Sequence, residues 1–376
     1  MELKQCAVSL LEHLPPNTCT SSLCHKAGLL EKNLQEDEPH VIKVTKTVYQ
    51  ACVNESQWEA AGAMPLLILL KREGGLPMIE PDWNEEKFNV MKMLSRMRRT
   101  LANEHLISVT VQPDSKNTSN NVININQGRL TLRREYYTPD TPLSRYHKAT
   151  HISLMKQAGE FLLKAQKQEQ NVTFLNNLYR DVEDLWEFSV KVAEITELME
   201  HFDPWQLYNP TTVKELQAHT DATNSTFKIM IISIIIMNSQ PYVCFQISGK
   251  EKLKNTLQMV EDVTAAFRDM LVEASWIDPA TLKEALHKLD EMQHLVAFPP
   301  LAIIDDLLEE YHQGFMPQIP EVKKNDHFGN MLALTAWQCH RTLHELTSPE
   351  SRDSWPRGPL EINAFYSAFT NAIGKS

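Results

Sequence analysis

The sequence predicts a mainly α-helical protein that carries a small β-hairpin. Glycine is scarce, with 11 residues among 376, and several segments repeat apolar residues at the three- and four-residue steps of an amphipathic helix. A content of 42% hydrophobic and 23% charged residues is typical of a soluble globular chain. A chain of this length can bury a sizeable core in one large domain or two ordinary ones.

The helix predictions rest on periodicity and on start signals. Five apolar residues after position 250 share one helical face, which predicts a helix that buries this side: Leu257, Val260, Phe267, Leu271 and Ala274. Asp278 followed by Pro279 predicts an N-cap and the first helical position of the next helix. Asn209 followed by Pro210 predicts the same start for TTVKELQ. Further helices are predicted over residues 40–53, 85–104, 144–168, 172–200 and 326–346.

Strand signals are few. Residues 106–112 (LISVTVQ) alternate apolar and polar side chains, and residues 122–125 follow after the polar turn SKNTSNN, which predicts a hairpin. Residues 360–366 are a third candidate strand, isolated near the C-terminus. The proline-rich stretch 348–359 predicts a loop and a boundary. The most apolar run, residues 229–237 (IMIISIIIM), is far shorter than the roughly 20 residues of a membrane-spanning helix.

Charge and targeting signals limit the function classes. The formal net charge of -11 argues against a nucleic-acid binder, which needs a basic face for phosphates. The first residues, MELKQCAVSLLEHLPP, show no basic start and no continuous apolar run, so we predict no signal peptide, and the default location is the cytosol. Four Asn-x-Ser/Thr sequons favour secretion instead; they stand at Asn54, Asn117, Asn171 and Asn224.

The histidines do not predict a metal site. Two histidines four apart on a helix can share a cation, as in H-E-x-x-H, and the chain has two such pairs, His147/His151 and His340/His344. Neither pair has glutamate in second place, where a zinc peptidase keeps its general base. We therefore interpret both pairs as solvated or satisfied histidines. The sequence also lacks a G-x-S-x-G nucleophile motif, and Gly74–Gly75 predicts a turn rather than a phosphate loop.

Cys19 and Cys24 form a C-x4-C without a second pair of ligands at zinc spacing. A local disulfide and two free thiols both remain open, since six cysteines do not settle the redox compartment.

Several segments, in the same order, resemble the neprilysin and endothelin-converting-enzyme family of zinc metallopeptidases. They extend from Cys19 to Ile373 and read CTSSLCHKAGLL, VYQACVNE, PLLILLKREGGLP, NVININQGRLTLRREYYT, LYNPTTVKELQ, EASWIDPATLKEALHKLDEM and, after Trp355, INAFYSAFTNAI. Leu76 stands where the family has the tryptophan of a Gly-Gly-Trp-Pro turn. No single motif decides the resemblance, but their shared order is highly specific.

The resemblance implies a fold and a substrate-binding strand. It implies a helical N-terminal domain over residues 1–355, with apparent internal deletions near 35 and 241–254. Residues 356–376 would then be the start of a truncated catalytic domain. The family's Asn-Ala-Phe/Tyr segment is an edge strand along which a peptide lies extended, and this role falls on Asn363 and Ala364. An asparagine amide offers a donor and an acceptor to a peptide backbone. From the residues alone, the preferred interpretation is that Asn363 caps a turn before a buried strand, and the resemblance reverses this preference.

The resemblance also implies zinc-dependent peptide hydrolysis at the plasma membrane or outside the cell, with Cys19 paired to Cys24 in an oxidising compartment and glycans on the four sequons. The zinc ligands of the family belong to an H-E-x-x-H motif and a later glutamate, and this sequence contains no H-E-x-x-H. We therefore expect no zinc ligands in this chain. The alternative function is a catalytically inactive peptide- or partner-binding module, or a gene fragment without independent function.

Overall fold

The computed structural model describes residues 30–80, 82–102, 104–196, 208–222, 250–296, 320–347 and 364–375. These residues are mainly helical with a few short strands, which confirms the predicted fold class. The helices are α1 (His40–Val53), α2 (Glu55–Ala61), α3 (Met64–Glu73), α4 (Val90–Leu101), α5 (Pro142–Ala165), α6 (Val172–Ile195), α7 (Val213–Ala222), α8 (Lys250–Glu273), α9 (Pro279–Asp290) and α10 (His327–Glu345). The strands are β1 (Ile107–Pro113), β2 (Asn121–Gln127), β3 (Gln293–Val296), β4 (Ala364–Ser367) and β5 (Ala372–Lys375).

Some of the residues singled out in the sequence lie outside the described ranges. They are Cys19, Cys24, Asn224, Asn363 and Trp355, together with the apolar run 229–237 and the loop 348–359. No helix in the part of the chain that the structure describes is long and apolar enough to cross a membrane.

The largest core lies between α5 and α6. Thr141 and Ser144 form a capping box at the start of α5, with Pro142 at the first helical position. Leu163 of α5 and Leu178 of α6 have no solvent exposure. At Gly159 of α5 the helices approach so closely that a Cβ atom would lie 2.2 Å from Leu178 Cδ1. The absence of a side chain at this position allows the close contact.

A second packed unit combines α4, α10 and the ribbon of β1 and β2. The strands pair antiparallel with Val109 opposite Ile125, which confirms the predicted hairpin. Met91 of α4 packs on Val109. The unit also encloses a charge pair, because Arg98 Nη1 lies 2.9 Å from Glu104 Oε1 and both side chains are buried.

The helix-start predictions had mixed outcomes. Asp278 caps α9 by accepting hydrogen bonds from the amides of Ala280 and Thr281 at 3.0 Å, with Pro279 at the first position, as predicted. The start at Asn209–Pro210 was wrong, since α7 begins at Val213. The reason is a capping box closer to the helix: Thr212 Oγ1 accepts from the Glu215 amide, and Glu215 Oε2 accepts from the Thr212 amide.

The predicted buried face of α8 was partly wrong. Val260 is buried, but Phe267 is 47% exposed. α8 also makes a polar contact with β3, because Thr264 Oγ1 lies 3.4 Å from His294 Nε2. The outward side of α8 instead carries the apolar residues Met259, Val263 and Met270.

The C-terminal strand was predicted as isolated, and this was wrong. β4 pairs antiparallel with β5, and β5 pairs parallel with β3, giving the strand order β3-β5-β4. The sheet therefore joins residues near 295 to residues near 370, two regions that lack a local sequence signal for pairing.

Candidate functional site

Among the residues that the structure describes, β4 is an outer strand of the three-stranded sheet. One side of it bonds to β5, with Phe365 opposite Gly374 and Tyr366 opposite Ile373. Its side chains alternate, since Ala364 and Tyr366 are exposed whereas Phe365 and Ser367 are half-buried. An outer strand of this kind can accept an extended peptide through main-chain hydrogen bonds, with the exposed side chains beside it.

The inner face of β4 is fixed by one aromatic ring. Phe365 packs with the buried residues Leu295 and Ala372. Its ring lies directly over Gly374, where a Cβ atom would be 2.2 Å from Phe365 Cζ. The missing side chain at position 374 thus leaves room for the ring, and the packing of the ring helps to hold β4 against β5.

Asn371 ties the strand pair to helix α9. It adopts the left-handed backbone conformation (φ 49°) in the turn between β4 and β5, where asparagine is tolerated better than most residues. Its Nδ2 donates to the Lys288 carbonyl at 2.8 Å, and its Oδ1 accepts from the Tyr366 hydroxyl at 3.2 Å. Its carbonyl accepts from the Gln293 amide of β3 at 3.0 Å. One side chain and one carbonyl thereby join β3, β4 and α9.

Asn371 and Gly374 were not predicted from the sequence as functional residues. The sequence places Asn371 as a turn-forming residue between two short apolar runs. It places Gly374 within a strand pattern, where a glycine often marks a position that another group of the protein approaches closely. Asn363, the predicted contact, lies outside the described residues.

The histidine pairs do not form a metal centre among the described residues. The His147 ring stacks on Tyr136 with centroids 3.8 Å apart. His151 lies 5.8 Å from the Trp186 ring, and burial lowers the pKa of its imidazole. His340 is exposed on α10. The described histidines of these pairs therefore either pack against aromatic rings or face solvent.

The described residues do not fit a zinc ion. Within the described ranges there is no group of three or more His, Cys, Asp or Glu side chains that could hold a metal. This part of the chain therefore supplies no ligand set for a zinc ion.

The modification candidates differ in exposure. Asn117 is exposed in the β1–β2 turn, where its Oδ1 accepts from the Ser119 amide. Asn171 is half-buried and caps α6 by accepting from the Thr173 amide at 3.1 Å. Asn54 is half-buried at the start of α2. Cys52 is half-buried in α1, and burial raises the pKa of its thiol.

Comparison with known proteins decides the family. The model of peptidase family M13 matches residues 25–244 and 236–299, which together cover most of the chain. The chain belongs to peptidase family M13. The resemblance to neprilysin-like peptidases in the sequence is thereby confirmed.

The similar curated proteins are neprilysins. Neprilysin-1 of Trittame loki is 22% identical over 423 residues, covering 89% of this chain and 58% of that protein. Neprilysin-1 of Caenorhabditis elegans is 22% identical over 443 residues, covering 93% of this chain and 58% of that protein. This M13 chain therefore spans less than two thirds of the length of these relatives.

Solved structures share the fold at low identity. A Haemonchus galactose-containing glycoprotein complex matches with a TM-score of 0.67 and 15% identity, covering 93% of this chain and 61% of that chain. The Mycobacterium tuberculosis zinc metalloprotease Zmp1 in its open state matches with a TM-score of 0.58 and 16% identity, covering 99% and 64%. PepO from Lactobacillus rhamnosis matches with a TM-score of 0.58 and 14% identity, covering 93% and 64%. These likenesses show the architecture of this M13 chain.

Proposed function

We propose that this chain provides the substrate-holding side of a neprilysin-like zinc endopeptidase. A peptide lies extended along the outer edge of β4, with Asn363 and Ala364 as its contacts. The observation that supports the proposal is the position of β4 as an outer strand whose inner face is anchored by Phe365 and whose turn is tied down by Asn371. A strand held this firmly can add a further strand at little cost in ordering.

The test is peptide binding by the whole chain. A fluorescein-labelled pool of random nonapeptides is titrated and followed by anisotropy. Asn363→Ala removes a donor and an acceptor, so binding should weaken about tenfold or more, since each hydrogen bond contributes roughly 0.5–1.5 kcal/mol. Asn126→Ala is the matched control, an exposed asparagine on β2. Equal binding by Asn363→Ala and wild type, or equal loss in both variants, would refute the assignment.

The wider setting follows from the same proposal. As a neprilysin-like peptidase, the protein acts on peptides at the plasma membrane or outside the cell. There, Cys19 and Cys24 form a disulfide, and glycans occupy Asn54, Asn117 and Asn171 together with Asn224. Residues 1–355 would be the helical domain, and residues 356–376 the beginning of the catalytic domain.

A second candidate function is a peptide-binding module without catalysis. It is supported by the same outer strand, β4, because main-chain pairing along a strand edge binds a peptide without a metal. Zinc content after incubation and desalting, measured together with hydrolysis of the labelled peptides, separates the two. Binding without stoichiometric zinc or hydrolysis supports the module, whereas one tightly bound zinc per chain with turnover supports a peptidase in its own right.

A further inference from the structure

Helix α5 carries an apolar surface that faces away from the core. Four large side chains on this side are 56–65% exposed: Leu143, Tyr146, Leu154 and Phe161. Thr150 and Ala158, also exposed, complete the row. The successive spacings are three, four, four, four and three residues, so all six lie on one side of a helix, over about 27 Å. We call these six residues the outer face of α5.

The opposite side of α5 already contributes to the core. Ile152, Leu162 and Leu163 are buried there, and Gly159 contacts Leu178 of α6. The outer face is therefore not a misplaced core face. It is a second apolar surface on the same helix, and extended apolar surfaces on soluble proteins mark interaction sites.

The cations of α5 argue against a membrane as the partner. An interfacial helix presents its basic side chains to lipid phosphates beside its apolar face. Here three of the four Lys and Arg side chains of α5 contact other groups of the chain: Arg145 Nη1 lies 2.9 Å from Asp140 Oδ2, and Lys156 Nζ lies 2.9 Å from Glu183 Oε1. Lys148 Nζ lies 5.9 Å from the ring centroid of Trp186.

We propose that the outer face of α5 binds the same face of a second copy of this chain, with the two helices antiparallel. In this arrangement Leu143 lies level with Phe161 of the other copy, and Tyr146 lies level with Ala158. The large side chain of Tyr146 thus meets the small side chain of Ala158 at two symmetry-related places in the contact, which favours close packing. The symmetric contact closes the assembly as a dimer.

Charge supports the antiparallel orientation. Asp140 precedes α5 and Lys164 lies in its last turn, and both side chains are exposed. The antiparallel pair places each Lys164 level with the partner copy's Asp140, which also lies 2.9 Å from Arg145 Nη1 of its own chain. A parallel pair would place like charges together at both ends, which is unfavourable.

The available area suits a dimer of modest affinity. Phe and Tyr bury about 150–250 Å² when enclosed, so the exposed parts of Tyr146 and Phe161 offer roughly 100–150 Å² each. With the leucines and small residues, each copy contributes roughly 500 Å², and the pair removes roughly 1,000 Å² from water, close to the lower limit for a specific interface.

Sedimentation equilibrium of the full chain tests the proposal. Wild type should pass from monomer to dimer in the micromolar range, roughly 1–100 µM. Leu154→Glu should raise the dimer dissociation constant at least about tenfold, because a charge would then be enclosed. The matched control is Met270→Glu on the outward side of α8, a residue 66% exposed, and it should leave the constant unchanged. Far-ultraviolet circular dichroism checks that both variants stay folded.

A mixing experiment tests the orientation. Leu154 lies level with Thr150 of the other copy, so Thr150→Lys mixed with Leu154→Glu should form a heterodimer more tightly than either variant forms a homodimer. A wild-type chain that stays monomeric to 100 µM (about the upper limit expected for this area), equal weakening by Met270→Glu, or no gain on mixing would overturn the proposal. Co-sedimentation of wild type with phosphatidylserine vesicles that Leu154→Glu abolishes would overturn it in favour of a lipid surface.

Discussion

Gly374→Ala tests whether the ring of Phe365 sets the position of β4. The new Cβ atom would lie 2.2 Å from Phe365 Cζ, whereas carbon atoms in contact prefer about 3.5–4.0 Å. The ring or the strand must therefore move by roughly 1.5 Å, and overpacking of this size costs about 1–3 kcal/mol. Peptide binding at β4 should weaken together with stability.

The double variant isolates the contact. In a Phe365→Ala background the ring is gone, so Gly374→Ala should cost little, and the coupling energy should equal about 1–3 kcal/mol. Urea unfolding measures the stability of all four proteins. The matched control is Gly159→Ala, whose Cβ atom would lie equally close to Leu178 in the main core. It should leave peptide binding unchanged. An equal cost of Gly374→Ala with and without the Phe365 ring would refute the reasoning.

Two further predictions concern other parts of the fold. Glu104→Ala removes the carboxylate that pairs with the guanidinium of Arg98, which is 1% exposed, so the free energy of unfolding in urea should fall by about 3–5 kcal/mol. The control Glu135→Ala breaks an exposed pair and should change the free energy of unfolding by less than about 1 kcal/mol. Equal effects of the two variants would contradict the burial argument. Hydrogen bonds from Thr281 lower the pKa of Asp278 below its ordinary 3.8, so its contribution is present above pH 3.8 and is lost as the pH falls through the folded-state pKa. Asp278→Asn should reduce the acid sensitivity of the melting temperature, and an unchanged pH profile would show that the cap does not titrate with folding.

The helices were largely predictable because their signals are local. Residues 40–53 were predicted as a helix and form α1 over the same range, since a 3.6-residue period and its breaks lie within the segment itself. Asp278 capped α9 as predicted for the same reason. At α7 two start signals competed, and the capping box of Thr212 prevailed because it satisfies two amides at once.

The sheet was not predictable because its determinants are distant in sequence. β3 and β5 have four residues each and pair in parallel across about eighty positions. Such a contact depends on loop closure and on packing together.

The contacts of the turn at Gly74 and Gly75 were also not predictable from the sequence. Leu76 suggested that the tryptophan of the family's turn was missing, yet Trp83 Nε1 donates to the Gly74 carbonyl at 2.9 Å. A tryptophan therefore packs against the turn from a later position.

The strand of the candidate site was predicted from the sequence, but the residues that support it were not. The sequence predicts a strand over residues 360–366, of which residues 364–366 belong to β4, and the resemblance implies that this strand is a peptide-binding edge. The supports at Asn371 and Gly374 required the structure, because their roles depend on Lys288 and Phe365, which they contact only in the folded sheet.

The most direct test of the account is amide hydrogen exchange of the whole chain with and without the nonapeptide pool. If β4 holds the peptide, alternate amides between Ala364 and Ser367 should exchange more slowly when peptide is present, while those of β1 and β2 should not change. Unchanged exchange in β4, or protection confined to the β1–β2 ribbon, would contradict the assignment of β4 as the peptide-binding edge.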